Sequence, residues 1–86
     1  MAEGFFTTPD TYQATFLLVS RAEYRGCFLD PERYNNVSFR FVDTPEIQNL
    51  LLDFVNGATV PARDFSEAHR FISGQARKTR YAGGTR

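Results

Sequence analysis

The chain has 86 residues, of which 42% are hydrophobic and nine are phenylalanine, a composition that predicts one small globular domain with a modest core. No apolar run approaches the roughly 20 residues of a membrane-spanning helix, and a single cysteine excludes an internal disulfide. The formal net charge of zero argues against a domain dominated by phosphate contacts. Because the first residues also lack the features of a signal peptide, we expect a soluble, cytoplasmic protein.

The first two predicted elements are a short strand and a helix. Residues 4–8 are aromatic and β-branched, which is typical of an edge strand. Thr8, Pro9 and Asp10 have the residue types of an N-cap, a first helical position and an acidic first turn. Apolar residues then follow at helical spacing, so the helix is predicted to run to about residue 21.

Two strands and a connecting turn follow, and together they predict a β-hairpin. Residues 23–29 and 37–41 alternate in the way that strands do, and residues 30–36 have the Asp, Pro and Asn composition of a turn. In the first strand, Tyr24 and Phe28 are predicted to face the core. In the second strand, three residues are predicted to do so: Val37, Phe39 and Phe41.

The last two predicted elements are helices. Thr44, Pro45 and Glu46 repeat the cap, proline and acid of the first helix start, and Gly57 follows the predicted end near residue 56. A third helix opens at Pro61 and is expected to reach about residue 75. We therefore expect one domain over residues 1–76 and a basic, flexible tail over residues 77–86.

The order strand, helix, strand, strand, helix, helix predicts an α+β fold, with the helices packed on one face of a small antiparallel sheet. The helix stripes are the only apolar surfaces available to cover the aromatic face of the sheet. The second face is then expected to remain uncovered. It is predicted to carry Arg25, Cys27, Leu29, Ser38, Arg40 and Val42.

Four stretches of mostly core, cap and turn residues, at 5–18, 37–43, 45–57 and 62–65, carry a family likeness, most recognisably in Asp53-Phe54-x-Asn56-Gly57. On these residues, the chain over about 5–77 resembles a family of short bacterial and phage-associated proteins classed as a domain of unknown function. It departs from that family in a longer turn at 31–35 and in its basic tail. The resemblance implies a small cytoplasmic accessory protein and carries over no catalytic residues.

The charges are unevenly distributed along the chain. All ten acidic residues and six basic residues precede residue 77, which gives a net charge of −4, whereas the last ten residues carry +4. Arg63, Arg70 and Arg77 lie in a row, because a spacing of seven residues returns to nearly the same helix face. Lys78 and Arg80 extend this row. The row can follow a nucleic-acid backbone, although Asp64 and Glu67 favour an ordinary mixed-charge surface.

Candidate enzyme and cofactor sites are weak. His69 and Cys27 are the only histidine and cysteine, too few for structural zinc, and we interpret both as structural rather than as a nucleophile and its base. No glycine-rich loop precedes a helix in the way that phosphate binding requires. The sequence therefore predicts a protein that is not an enzyme and that takes no cofactor, metal or small-molecule substrate.

Residues 37–41 are superficially similar to the aromatic strand of RNA-recognition modules, in which exposed rings stack on bases. We favour a core role, because the same rings are needed to seat the helices. Small sheets with open edges often bind a partner. Our leading hypothesis is therefore a module that binds another protein or itself through its sheet edge and third helix. The alternative is nucleic-acid binding. Arg25 and Arg40 on the second face are further candidates for either contact.

Overall fold

The structure, a computed structural model, describes residues 4–33 and 36–84. A strand is followed by a helix, two strands and two helices, in the predicted order. These elements are β1 (Phe5–Thr8), α1 (Thr11–Val19), β2 (Tyr24–Asp30), β3 (Asn36–Val42), α2 (Pro45–Val55) and α3 (Ala62–Gly84). The helices pack against an antiparallel sheet, which confirms the α+β fold class.

The three strands form one sheet in the order β1-β3-β2. Phe6 of β1 lies opposite Phe41 of β3, and Leu29 of β2 lies opposite Val37 of β3. β2 and β3 form the predicted hairpin, whose turn includes a short 3₁₀ helix at Pro31–Arg33. β3 is therefore the central strand, and β1 and β2 are the edges among the described residues.

The core lies between the sheet and the helices. Phe39 is 1% exposed and Phe41 is completely buried, so their predicted inward orientation is confirmed. The other members of the buried cluster are Ala14, Phe16, Leu17, Val37, Ile47, Ile72 and Ala76. Every helix contributes to this one cluster, and each large apolar side chain in it stabilises the fold by roughly 1.5–3 kcal/mol.

A bulge in β2 changes which of its side chains face the core. Tyr24 pairs with Phe41, whereas Cys27 pairs with Phe39, so the two residues between them oppose a single residue of β3. The second of the two, Gly26, has a φ of +97°, which side chains with a Cβ rarely adopt. The extra residue reverses the alternation over the rest of the strand.

Three residues of β2 therefore lie on the opposite face from the predicted one. Cys27 and Leu29, predicted on the second face, pack against the core. Phe28, predicted inward, lies on the second face, where the Arg40 guanidinium is 4.5 Å from the centre of its ring. The prediction assumed unbroken alternation, and one inserted residue moves every following side chain to the other face.

The N-cap of α1 is Asp10 rather than Thr8, and α1 begins two residues later than predicted. Asp10 Oδ1 accepts hydrogen bonds from the backbone N–H groups of Tyr12 and Gln13, at 2.9 and 3.2 Å. Thr8 instead ends β1 opposite Phe39, and its Oγ1 accepts a hydrogen bond from the backbone N–H of Asp10 at 3.1 Å. Pairing within the sheet thus holds Thr8 in the strand.

The predicted start and end of α2 are confirmed. Thr44 is the N-cap, without a side-chain hydrogen bond to the helix, and Pro45 is the first helical residue. The helix ends at Val55, and Gly57 follows with a φ of +80°. This left-handed backbone is the usual conformation of a glycine after a helix end.

α3 continues nine residues beyond its predicted end near residue 75. Its buried residues Ile72 and Ala76 lie one turn apart, and Thr79 on the next turn contacts β2 through Cys27. Contact with the sheet thus holds the helix past Gly74, which the sequence suggested as a weak point. Arg77, Lys78 and Arg80, assigned to a tail by the sequence, lie on this helix, and Arg86 lies outside the described residues.

Candidate interaction surfaces

Cys27 and His69, the two side chains that suggested a nucleophile and its base, lie apart. Cys27 Sγ donates to the carbonyl of Gln75 at 3.5 Å and lies 3.0 Å from Thr79 Oγ1. His69 stacks on Tyr12, with the ring centres 5.3 Å apart. About 15 Å of helix separates His69 from Thr79. Within the described residues, no group of His, Cys, Asp and Glu side chains could hold a metal ion.

Tyr24 has the one clearly shifted pKa among the described residues. Burial, with a further contribution from the neighbouring Cys27, raises the pKa of the Tyr24 phenol well above its usual value. The phenol donates to Gln75 Oε1 at 3.1 Å, and the ring packs against Phe41 and Phe71, with ring centres 5.4 and 5.7 Å away. Shifted pKa values often mark functional sites, but these contacts assign Tyr24 a structural role in joining β2 to α3.

The predicted row of cations lies on the solvent side of α3. All five side chains are exposed. They are Arg63, Arg70, Arg77, Lys78 and Arg80. The acidic residues of α3, Asp64 and Glu67, lie near its start, so the part of the helix from residue 68 onward carries four cations and no anion. We call this part, residues 68–84, the basic segment of α3.

A shallow groove of about 340 Å³ runs along the basic segment. Arg70, Arg77 and Lys78 line it together with Phe71, whose side chain is about half exposed. Gly74 lies between the cations and leaves the backbone accessible, since a Cβ at this position would meet nothing within 4 Å. The arrangement combines positive charge with an exposed ring. In proteins that bind single-stranded nucleic acids, the charge contacts the backbone and the ring stacks on a base.

Arg40 lies between two aromatic rings on the second face of the sheet. Its guanidinium carbon is 4.5 Å from the centre of the Phe28 ring and 5.5 Å from that of the Phe5 ring. Cations over ring faces stabilise by roughly 0.5–1 kcal/mol at exposed sites. Arg40 forms no ion pair within the described residues. This face therefore carries a cation without a carboxylate partner, held between two rings.

Arg25, the other cation predicted on the second face, lies there in an ion pair. Its guanidinium is 2.8 Å from a carboxylate oxygen of Glu23, and both side chains are largely exposed. Exposed pairs of this kind contribute about 0–1 kcal/mol to stability. Arg25 is thus locally neutralised, whereas Arg40 is not.

The outer edge of β1 is a further candidate surface. Phe5 is 49% exposed, and Phe6 is only partly buried although it packs against the core. β1 pairs with β3, and within the described residues no strand pairs with its other side. An unpaired edge offers backbone donors and acceptors to an added strand.

α2 exposes apolar side chains next to its buried ones. Leu51 and Phe54 are partly buried against the core, whereas Leu52 is 62% exposed and Val55 is 75% exposed. The apolar surface of α2 is therefore wider than the part that packs against the rest of the chain.

Sequence reasoning missed Phe5, Phe28, Leu52 and Val55 as surface residues. For Phe28 a signal was present, because a glycine inside a strand often marks a bulge, and Gly26 is such a glycine. For the α2 residues the signal was an apolar stripe wider than one face. For Phe5 no sequence signal separates an inward ring from an outward one.

No described helix is both long enough and apolar enough to cross a membrane. Comparisons of the chain with protein-family models, with curated proteins and with solved structures find no match, so the family resemblance suggested by the sequence stays a prediction.

Proposed function

We propose that this protein is a non-catalytic module that binds another protein on the side of the molecule where β1 ends the sheet. The observation that carries the proposal is the incomplete burial at this side, where β1 has an open edge and α2 exposes Leu52 and Val55. In a small domain, such apolar surface is often covered by a partner.

Two double variants test the proposal. Leu52→Lys with Val55→Lys places two charges on the exposed flank of α2, whereas Ala62→Lys with Ser66→Lys adds the same charge on exposed positions of α3. Tagged forms of the parent and both variants are used to recover partners from the source cells, and each recovered protein is then purified and titrated against them by calorimetry. We expect at least one recovered protein to bind directly, with the same affinity for the parent and for the α3 control.

The α2 double variant should bind that partner at least about tenfold more weakly, which corresponds to about 1.4 kcal/mol. Circular dichroism establishes that each variant is folded. A partner that binds all three forms equally would contradict the assignment to this side of the molecule. If no recovered protein binds directly in purified form, the proposed function itself is wrong.

Nucleic-acid binding is a second candidate function, and the continuous helix through the basic segment of α3 favours it. Cations on a helix keep a fixed spacing, whereas cations on a mobile tail do not. Binding that uses these side chains depends steeply on salt, because each phosphate contact releases a counterion. The exposed Phe71 ring beside Arg70 adds a surface on which a base can stack.

Fluorescence anisotropy with labelled single- and double-stranded oligonucleotides, over a range of salt concentrations, tests this candidate. The probe variant replaces Arg70, Arg77, Lys78 and Arg80 with glutamine, and a control replaces Arg21, Arg25 and Arg63. If four phosphate contacts are lost, the slope of log affinity against log salt should fall by roughly three in the probe variant alone. Equal slopes in the parent and the probe variant would rule out the basic segment.

A further inference from the structure

The backbone of β1 is arranged to accept another strand. The carbonyl of Gly4 accepts a hydrogen bond from the N–H of Asp43 at 3.1 Å, so the backbone N–H and C=O groups of Gly4 point toward the β3 side. Along an antiparallel strand these groups point alternately to the two sides. Phe6 and Thr8 therefore also bond to β3, whereas the N–H and C=O groups of Phe5 and Thr7 point to the open edge.

The two edges of the sheet differ in how they discourage strand addition. β2 contains the bulge at Gly26, the ion pair of Arg25 and, at its end, Asp30. Bulges and charges are the usual devices that protect an edge. The β1 sequence Phe-Phe-Thr-Thr has neither a charge nor a proline. Within the described residues β1 is therefore the less protected edge, since its only such device is its length of four residues.

α2 lies above this edge. α3 packs on α1, β2 and β3, whereas α2 packs on α1, with the rings of Phe16 and Phe54 5.5 Å apart. The helices thus lie in the order α3, α1, α2 over strands in the order β2, β3, β1. Because α2 has its main contacts with α1 and few with α3 or β2, it lies beyond α1, on the β1 side of the molecule.

The exposed flank of α2 lies next to its buried face. Successive residues of a right-handed helix advance by 100°, which places Leu51 and Val55 on neighbouring positions beside the buried face formed by Ile47 and Phe54. α1 follows β1 and α2 follows β3, and these two strands are antiparallel, so the two helices run in opposite directions and this flank is the one nearer the plane of the sheet. Together with the partly buried Phe6, these side chains give the β1 side an apolar surface, which we call the slot along β1.

Resting on the proposed function, we propose that this slot binds one extended segment of a partner protein, which pairs with β1 as a fourth strand. Alternate residues of the segment are apolar and contact Phe6, Leu51 and Val55. The residues between them lie on the second face of the sheet, beside Phe5 and Thr7. An acidic residue at this position reaches Arg40, which has no carboxylate partner among the described residues.

A second copy of the chain does not fit the slot. Paired residues of antiparallel strands share the same face, so a copy that pairs through its own β1 brings its helices to the same side. Its α2 then meets the α2 that already lies above the edge. A four-residue strand pair alone also buries much less than the roughly 1,200 Å² typical of a stable interface. A peptide segment carries no helix layer and avoids the collision.

A displayed library of short random peptides, selected on the purified full chain, identifies the preferred ligand. We expect enriched peptides with apolar residues at alternate positions and an acidic residue between them. Backbone N-methylation of the best peptide should weaken binding roughly tenfold at every second residue and have little effect at the others, because only alternate amides face β1.

Variants of the protein test where the selected peptide binds. Val55→Lys should weaken its binding about tenfold, whereas Ser66→Lys on α3 should not. Arg40→Gln should remove the preference for the acidic residue without loss of the apolar preference. In hydrogen exchange, the amides of Phe5 and Thr7 should exchange quickly in the free chain and slowly with peptide bound, while those of Phe6 and Thr8 stay protected throughout.

Four outcomes overturn the inference. The first three are a library without enrichment, binding that tolerates N-methylation at every position, and peptide binding that Val55→Lys leaves unchanged. In each case the proposed function is judged separately by the proteins recovered from cells, since a partner lost with the α2 double variant can bind by another geometry. Dimerisation of the free chain through β1, detected as protection of Phe5 and Thr7 without peptide, would also overturn it.

Discussion

Gly26 decides which side chains of β2 belong to the core. Its φ of +97° accommodates the extra residue of the bulge, and the reversal of alternation brings Cys27 inward and leaves Phe28 on the second face. The stacking of Arg40 between Phe5 and Phe28 depends on this reversal. One backbone conformation therefore shapes both faces of the sheet.

Replacement of Gly26 by alanine should destabilise the protein by roughly 1–3 kcal/mol, because a Cβ makes its positive φ costly. The added methyl would meet no other atom within 4 Å, so the loss would report backbone strain and not a clash. Gly74→Ala in the middle of α3, where space is equally open, should instead stabilise by roughly 0.5–1 kcal/mol. Urea unfolding measures both, and effects of the same sign would contradict the assignment of the bulge.

Tyr24 makes the stability of the fold sensitive to alkaline pH. Because its pKa is raised in the folded state, mainly by burial, the folded chain holds the phenolic proton more tightly than the unfolded chain does. The resulting stabilisation is complete below the unfolded pKa of about 10 and is lost as the pH rises above it. The unfolding free energy of the parent should therefore fall more steeply above pH 10 than that of Tyr24→Phe. Parallel curves would contradict this.

At the scale of elements, the helix starts differ in how they are capped. Asp10 binds two backbone N–H groups of α1 through its carboxylate, whereas Thr44 makes no side-chain hydrogen bond at the start of α2. Asp and Thr are both common at N-caps, but here only the Asp side chain forms cap hydrogen bonds. The difference lies in side-chain geometry, which the sequence does not show.

Asp10→Ala should lower the unfolding free energy by about 0.5–2 kcal/mol, the usual range for loss of a cap. Thr44→Ala should cost clearly less, since no cap hydrogen bond is lost. Thermal or urea unfolding of the two variants beside the parent provides the comparison. An equal loss in both variants would mean that hydrogen bonding at Asp10 contributes little.

α3 is longer than its sequence predicts. Glycine at position 74 and the glycines at 83 and 84 weaken helix formation, and the apolar pattern fades after Ala76. The helix nevertheless runs to Gly84, because Ile72, Ala76 and Thr79 contact the sheet and α1. Its extension turns the basic residues 77–80 from a predicted tail into part of an exposed helical surface.

At the scale of the whole molecule, one buried cluster joins both layers, and Phe39 lies at its centre. Phe39→Asp places a carboxylate in this cluster and should unfold the domain, since a large-to-small change alone costs about 3–5 kcal/mol and typical domains have only about 5–15 kcal/mol in total. Leu52→Asp, at a largely exposed site, should leave the fold intact. Far-UV circular dichroism distinguishes them, and a Phe39→Asp variant that melts like the parent would contradict the core assignment.

The sequence by itself determined the order of the elements, the fold class and the inward face of β3. Alternation at Val37, Phe39 and Phe41 and helical spacing around Ile47 and Ile72 are local patterns, and local patterns follow from the geometry of one strand or one helix. The seven-residue spacing of Arg63, Arg70 and Arg77 is a local pattern of the same kind, although the sequence assigned Arg77 to a tail.

Only the tertiary structure decided which surfaces remain open. The bulge at Gly26 is set by pairing with β3, the start of α1 by the pairing of Thr8, and the length of α3 by its contacts with the sheet. The slot along β1 requires the relative positions of a strand and a helix separated by more than 35 residues. Such positions follow from how the layers pack, because a residue becomes exposed or buried through its neighbours in space and not through its neighbours in sequence.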